Sequence, residues 1–325
     1  MPDLTYREAL RQALQEEMRK DDRVFIMGED VAAYGGTYAV TKGLLDEFGE
    51  KRVRDTPIAE SAIVGAAIGA AMGGLRPVAE LMTVNFSLLA MDQIVNHAAK
   101  IHYMFGGQAT VPMVIRTASG WGQLGPTHSQ TFDSYFAYVP GLIVVAPSTP
   151  RDAKGLLKAS IRNSNPVVFI EHSLLYSLRG EVPDAEDYLE ELGTSRVLRE
   201  GRDVTIVTYS RMAVVSMVAA DWLSKNGIEA EVVDLRTLRP LDMGPVLESV
   251  RKTNHAVVAE EGWRSCGMGA EVASRIYEGA FDYLDAPVAR VAAAEVPVAY
   301  NRKLERESFP DEQDVIEAVR GVLKR

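Results

Sequence analysis

The sequence predicts an α/β protein in which a doubly wound parallel sheet is followed by a smaller α/β domain. Short apolar strands alternate with helix-period segments in the first half of the chain, a rhythm typical of parallel strands joined by crossover helices. An acidic stretch without a strong period follows and indicates a linker. The alternation then restarts. We therefore expect a first domain over residues 1–180, a linker over 181–193 and a second domain over 194–325.

The elements of the first domain follow from apolar spacing and turn residues. Leu10, Leu14 and Met18 lie at helical spacing, so the chain opens with a helix. Short apolar runs closed by Gly, Pro or acidic residues indicate buried strands. The predicted helices cover 5–20, 41–48, 61–75, 87–103 and 151–162, and the predicted strands cover 24–27, 78–82, 111–116, 142–146 and 167–171.

The second domain repeats this pattern with fewer elements. A helix is predicted between Ser210, a favourable N-cap, and Gly227, a favourable C-terminal residue. The other predicted helices lie near 242–252, 268–280 and 312–323, and the predicted strands cover 204–209, 230–234, 256–260 and 288–291.

The uncharged segment 61–75 is dense in Ala and Gly. Gly65, Gly69 and Gly73 recur every four residues, so they share a helix face that another backbone or a flat ligand can approach closely. Glu60 precedes this helix and would lie at a crowded junction. A transmembrane helix is excluded, because charged residues close the run well short of the roughly 20 apolar residues that span a bilayer. An ordinary buried helix with an N-terminal acid is the alternative.

Two residues that follow strands are candidates for chemistry. Glu29 lies just after the first buried strand, and ligands of open α/β sheets gather at such C-terminal strand ends; a solvated loop acid is the alternative. His128 lies on a long Gly-rich loop after a strand, and a histidine there is better placed for chemistry than one inside a helix. A structural role for His128 is the alternative. His97 and His102 do not share a helix face as metal ligands would, so we expect packing or hydrogen bonding there.

Charge and cysteine content narrow the class of protein. The net charge of −10 and the lack of a long basic run argue against nucleic acid as a partner. The N-terminal residues are charged throughout, unlike a signal peptide, and no membrane span is expected. Cys266 is the single cysteine, so no internal disulfide and no cysteine-based zinc site can form. We expect a cytoplasmic protein.

Nucleotide-binding motifs are absent or incomplete. The sequence contains no Walker-type phosphate loop. Gly267-Met268-Gly269 is faintly similar to a dinucleotide fingerprint, but it does not directly follow its strand and the third glycine is missing. A dinucleotide-dependent oxidoreductase is therefore a disfavoured alternative.

Seven segments, taken together in this order, carry a family resemblance. The segments are GED (28–30), DTPIAE (55–60), GAAIGAAMGGLRPVAELMTVNF (65–86), THSQ (127–130), PGLIVVAPSTPRDAKGLL (140–157), DLRTLRPLD (234–242) and FDYLDAP (281–287). Through them the chain resembles the beta subunit of the thiamine-diphosphate-dependent decarboxylating component of 2-oxo acid dehydrogenase complexes, with the pyruvate dehydrogenase branch closest, and it is similar to transketolase-like proteins more broadly. The resemblance implies a pyrimidine-binding domain followed by a transketolase C-terminal-like domain.

The resemblance also assigns residues to the cofactor, thiamine diphosphate. Glu60 matches the cofactor-activating glutamate, which would hydrogen-bond a ring nitrogen of the aminopyrimidine. Phe86 matches the aromatic residue that packs on the pyrimidine, and Ile58 and Glu29 match further residues of that pocket. His128 matches a histidine near the thiazolium that handles protons when the acyl group passes to lipoyl-lysine.

The resemblance implies partners as well. The family holds Mg²⁺ and the diphosphate through a Gly-Asp-Gly motif, which this sequence lacks. An alpha subunit is therefore expected to carry that half of the site, in a heterotetramer with two copies of each chain, and the small-residue helix would pack against it. The lipoyl and subunit-binding domains of the acyltransferase core are the other implied partners.

Many relatives bind K⁺ through the turn after the helix 151–162, largely with backbone carbonyls. Ile161, Asn163 and Asn165 align with that turn, and position 113 contributes from the neighbouring strand. The family often has Asp where this chain has Asn163, so one negative charge is lost. A hydrated turn is the alternative.

The function implied is oxidative decarboxylation of a 2-oxo acid, with pyruvate preferred, and acyl transfer to lipoyl-lysine. Branched-chain 2-oxo acids and acetoin are alternatives within the same family. A non-catalytic docking scaffold is the alternative of another class, against which the presence of Glu60 argues.

Overall fold

A computed structural model describes residues 1–324, which form two compact units. The first unit contains residues 1–120 and 135–192. The second contains residues 121–134 and 193–324. The segment 121–134 lies inside the range expected for the first domain, but it packs with the second unit.

The first unit alternates strands and helices. Its strands are β1 (Asp3–Thr5), β2 (Val24–Gly28), β3 (Val53–Asp55), β4 (Arg76–Leu81), β5 (Val114–Ser119), β6 (Ile143–Val145), β7 (Val167–His172) and β8 (Arg179–Glu181). The helices over the same stretch of chain are α1 (Tyr6–Lys20), α2 (Leu44–Phe48), α3 (Glu60–Met72), α4 (Ile101–Met104), α5 (Asp133–Ala137) and α6 (Pro150–Arg162).

The core of the first unit is a parallel sheet with the strand order β6-β7-β5-β4-β2-β3. Every pairing between these strands is parallel, as the alternation of strands and helices predicts. Strands β5 and β7 are buried along their whole length, which is typical of a parallel sheet covered on both faces. The doubly wound fold of this domain is confirmed.

The prediction of one long helix over residues 87–103 is wrong. The chain instead forms a 3₁₀ turn at Val84–Ala90, a π turn at Gln93–Ala98 and then α4. The Ser87 hydroxyl donates to the Val84 carbonyl, and the amide side chain of Asn85 donates to the hydroxyl of Thr83. Such local side-chain hydrogen bonds compete with the regular helical pattern.

A buried ionic cluster joins three central strands near their C-terminal ends. Arg116 on β5 forms ion pairs with Glu80 on β4 and with both oxygens of Glu171 on β7. The Tyr176 hydroxyl donates to Glu171 at 2.6 Å, and Tyr38 stacks on the Tyr176 ring at 4.7 Å. Because Tyr38 belongs to the loop after β2, the cluster also holds that loop against the sheet.

The second unit has its own sheet and core. Its strands are β9 (Arg196–Arg199), β10 (Val204–Thr208), β11 (Ala230–Asp234), β12 (Thr237–Arg239), β13 (Ala256–Trp263) and β14 (Ala289–Ala293), and its helices are α7 (Arg211–Lys225), α8 (Gly244–Thr253), α9 (Met268–Ala280), α10 (Arg302–Ser308) and α11 (Glu312–Leu323). The sheet order is β14-β13-β10-β11-β9, parallel except for β9, and α7 and α11 pack on it.

Helix α3 has 13 residues, so the small-residue segment is far shorter than a membrane span. Over residues 1–324, no helix combines the length and the apolar character needed to cross a bilayer.

Replacing Arg116 by Met tests the ionic cluster. The substitution leaves the carboxylates of Glu80 and Glu171 buried without their cation, so we expect a loss of about 3–5 kcal/mol in unfolding free energy. Urea unfolding followed by circular dichroism measures it. The same change at Arg275, whose ion pair with Glu271 is exposed, should cost less than about 0.5 kcal/mol. Equal losses at the two positions would contradict the structural importance of the cluster.

Candidate active site

The loops that carry the predicted cofactor residues follow three adjacent parallel strands. Strand β2 lies between β3 and β4, with Gly28 opposite both Asp55 and Glu80. The loops after these strands therefore leave the same edge of the sheet, where ligands of open α/β sheets bind. The Asp55 carboxylate accepts from the backbone N–H groups of Ala32 and Ala33, which ties the loop after β2 to the end of β3.

Glu60 is the first residue of α3, and it is 5% exposed. No hydrogen bond or ion pair joins its carboxylate to any other group of residues 1–324. The helix N-terminus favours a negative charge at this position. A carboxylate on a largely buried residue that pairs with no group of the described chain remains available to a hydrogen-bond donor of a ligand.

Glu29, at the end of β2, lies close enough to Glu60 for their charges to interact. The pKa of Glu29 is raised, first by burial and then by the negative charges of Asp30 and Glu60. Two carboxyls at one edge of the sheet favour sharing a proton or receiving a hydrogen-bond donor. The structure thus brings these two predicted residues together.

The apolar residues predicted for the cofactor pocket lie in the flanking loops. Ile58 is 74% exposed and precedes α3, while Phe86 is partly buried in the turn after β4. The turn Val84–Ala90 packs against α3, the helix that begins at Glu60. Apolar side chains in loops beside two carboxyl groups suit a flat ring that carries hydrogen-bond donors.

The predicted glycine face of α3 is only partly exposed, because Gly65 lies against Gln93 within the protein, with Oε1 of Gln93 3.2 Å from the position of a β-carbon. Ala62, Ala66, Gly69 and Gly73 are exposed on this helix, and no atom lies within 4 Å of the position that a β-carbon would take at Gly69. Such a face allows the backbone of another helix to come very close.

His128 belongs to the second unit and is exposed. Its Nδ1 is hydrogen-bonded to the hydroxyl of Thr127 at 2.8 Å, and its backbone N–H donates to the carbonyl of Gly125. A hydrogen bond at Nδ1 fixes the orientation of the ring, which suits a group that moves protons through its other nitrogen.

The turn predicted to bind K⁺ is already hydrogen-bonded. Nη1 of Arg76 donates to the carbonyl oxygens of Ile161 and Asn163 at 2.8 and 2.9 Å. The Asn163 side-chain oxygen accepts from the backbone and the amide of Asn165. A K⁺ ion fits here only by using the second lone pairs of these carbonyls. Residues 1–324 contain no group of three His, Cys, Asp or Glu side chains that could hold a metal. Arg76 was not predicted to belong to this turn, since its position at the start of an apolar strand is the only hint that the sequence offers.

The Gly267-Met268-Gly269 turn is filled by the protein itself. A β-carbon at Gly267 or Gly269 would lie 2.5–2.6 Å from the carboxylate of Glu260. This carboxylate therefore occupies the N-terminus of α9, the position that a dinucleotide phosphate would need. The glycines serve this close contact, which argues further against dinucleotide binding.

Comparisons with known proteins agree with this architecture. The model of the transketolase pyrimidine-binding domain matches residues 3–178, and that of the transketolase C-terminal domain matches residues 193–315. A split-gene transketolase, solved as an inactive beta4 tetramer, has a TM-score of 0.77 at 25% identity, over 99% of this chain and 98% of that one.

Curated relatives are more similar. The pyruvate dehydrogenase E1 component subunit beta of Rickettsia felis is 50% identical over 320 residues, which cover 98% of each chain. The mitochondrial pyruvate dehydrogenase E1 component subunit beta of Bos taurus is 47% identical over 98% of this chain and 90% of its own length. The chain therefore belongs to the transketolase-like family, in the branch of the pyruvate dehydrogenase E1 beta subunits.

Proposed function

We propose that this chain is the beta subunit of a heterotetrameric 2-oxo acid dehydrogenase that decarboxylates pyruvate oxidatively and passes the acyl group to lipoyl-lysine. The observation that carries the proposal is Glu60, a residue only 5% exposed whose carboxylate forms no hydrogen bond or ion pair among residues 1–324 and lies near Glu29 at the C-terminal edge of the sheet. The relatives named pyruvate dehydrogenase E1 beta favour pyruvate over branched-chain 2-oxo acids and acetoin.

The residues present fit the aminopyrimidine half of thiamine diphosphate. When bound, the cofactor supplies the carbon nucleophile and takes up the electrons that carbon dioxide leaves behind. Glu60 would hydrogen-bond a pyrimidine ring nitrogen, which satisfies its unpartnered carboxyl and shares a proton with the ring. Phe86 and Ile58 would contact the faces of the ring, and Glu29 would contribute a second carboxyl to the pocket.

The other half of the site is assigned to an alpha subunit. The chain lacks the Gly-Asp-Gly motif, so Mg²⁺ and the diphosphate would be held mainly by that partner. The exposed small-residue face of α3 begins directly after Glu60, which suits a closely packed partner at the site itself. The similar split-gene transketolase beta chain is described as inactive by itself, which supports a divided site.

His128 is assigned to the acyl transfer. With Nδ1 held by Thr127, its imidazole can take up or deliver a proton as the lipoyl sulfur accepts the acyl group. The lipoyl and subunit-binding domains of an acyltransferase core would be the further partners. A cytoplasmic location also stays a prediction, since the relatives include a protein described as mitochondrial.

Reconstitution with a candidate alpha subunit tests the divided site. We expect pyruvate-dependent reduction of an artificial electron acceptor, in the presence of thiamine diphosphate and Mg²⁺, only when both chains are present. Glu60→Gln should lower this rate by about a hundredfold or more, because the proton shared with the ring is lost. The assembly should persist on size exclusion.

The matched control is Glu271→Gln, which changes an exposed glutamate on α9 and should leave the rate unchanged. Turnover by this chain alone would contradict the divided site. Substantial turnover by Glu60→Gln would contradict the role of Glu60. Preference for 3-methyl-2-oxobutanoate over pyruvate would move the chain to the branched-chain group.

His128→Ala tests the acyl-transfer role. We expect the rate with a lipoyl acceptor to fall by about a hundredfold, while the rate with an artificial oxidant falls much less, because only acyl transfer needs the imidazole proton. Steady-state assays with the two acceptors measure this. Equal losses with both would show that His128 acts elsewhere.

The K⁺ site is tested by thermal unfolding. If K⁺ shares the carbonyls of Ile161 and Asn163 with Arg76, saturating K⁺ at about 100 times its Kd should add about 2.7 kcal/mol to stability. Tm would then rise more in KCl than in NaCl at equal ionic strength. Identical melting curves in the two salts would favour a hydrated turn without a bound cation.

A further inference from the structure

The loop that carries His128 has an unusual backbone at its start. Gly122, Gln123 and Gly125 all have positive φ angles, of 149°, 61° and 78°. The left-handed region is uncommon for a residue with a side chain, such as Gln123. A loop of this kind needs contacts from outside itself to hold one conformation.

Glu305 supplies such a contact. Its side chain is buried, with the residue 1% exposed, and its carboxylate accepts hydrogen bonds from two successive backbone N–H groups. Gln123 N lies 2.8 and 2.9 Å from the two carboxylate oxygens, and Gly122 N lies 3.2 Å from one of them. Successive N–H groups in a left-handed turn form a concave anion site, and here the anion is part of the protein.

The helix that carries Glu305 is held by a cap and by a ring contact. Glu305 lies in α10, whose first turn is capped by the side chain of Asn301. Just after this helix, Phe309 stacks on Trp121 with ring centroids 5.0 Å apart and an interplanar angle of 7°. Trp121 immediately precedes Gly122, so the start of the loop is held by a ring contact and by a carboxylate.

The anchored turn leads directly to the imidazole. The backbone N–H of His128 donates to the carbonyl of Gly125, and the hydroxyl of Thr127 holds Nδ1. His128 is thus joined through Gly125 to the turn whose first two N–H groups, at residues 122 and 123, are bound by Glu305.

The far end of the loop is fastened separately. Asp133 is buried and hydrogen-bonds the side chain of Tyr209. Burial, followed by the negative charge of Glu261, raises the pKa of Asp133 to about 7. The charge of Asp133 therefore depends on pH near neutrality. Variants of Glu305 are for this reason compared at a single pH.

We propose that Glu305 is a positioning residue for His128, which holds the histidine loop by capping the N–H groups of Gly122 and Gln123. The proposal rests on the proposed acyl-transfer role of His128. Glu305 lies 177 positions after His128 in the sequence and belongs to none of the motifs described above.

Glu305→Gln tests this inference, with Asp242→Asn as the matched control. Asp242 also accepts from two backbone N–H groups, those of Ser195 and Gly244, but it does not contact the loop 121–134. Hydrogen–deuterium exchange of the reconstituted enzyme measures the loop directly. We expect the amides of residues 122 and 123 to exchange about tenfold faster in Glu305→Gln, because an amide replaces one of the accepting oxygens. Asp242→Asn should leave these amides unchanged.

Acyl transfer gives the functional measurement. In Glu305→Gln, kcat/KM for the lipoyl acceptor should fall about tenfold, while reduction of an artificial oxidant stays within about twofold of the unmodified enzyme. Unchanged exchange at residues 122 and 123, equal losses with both acceptors, or the same losses in Asp242→Asn would each overturn the inference. If exchange rises but the unmodified enzyme transfers no acyl group to lipoyl, the proposed function fails while the anchoring contact stands.

Discussion

The parallel pairing of β2 with β3 and β4 is the constraint on which the candidate site depends. It places the loops after these three strands at one edge of the sheet, so residues far apart in sequence converge there. Glu29 and Glu60 come within reach of each other's charge only because their strands are neighbours in register. The ionic cluster around Arg116 lies on the same sheet. It joins β4, β5 and β7 through the ion pairs of Arg116 with Glu80 and Glu171.

In the first unit, the candidate site and the exposed small residues lie on one helix, α3. Glu60 begins α3, and the small residues Ala62, Ala66 and Gly69 of the same helix are exposed. In the proposed function, this single helix provides both the acid for the cofactor and a close-packing face for the alpha subunit. The second unit contributes differently: it holds the loop of His128 by contacts of its own, through Glu305 at one end and Asp133 at the other.

The sequence predicted the fold class and many element bounds because apolar periodicity decides both. The strand at Ala230–Asp234 and the helices at 268–280 and 312–323 agree residue for residue with expectation. The prediction of a helix over 87–103 was wrong because hydroxyl and amide side chains form local hydrogen bonds there, which the spacing of apolar residues does not reveal. The buried ion pairs could have been predicted, because Glu80, Arg116 and Glu171 are charged residues inside otherwise apolar strands. Glu305 gave none, since its partners are backbone N–H groups some 180 positions earlier. The assignments of Glu60, Phe86 and His128 came from resemblance, and their roles stay predictions.

The exposed face of α3 has a consequence for the choice of neighbour. Glycine and alanine offer close contact but no side chain that could distinguish one neighbour from another. A second copy of the same chain and a foreign helix meet the same bare backbone there, and the similar split-gene transketolase is described as a beta4 tetramer. Selectivity for one neighbour must then come from the side chains that surround this helix.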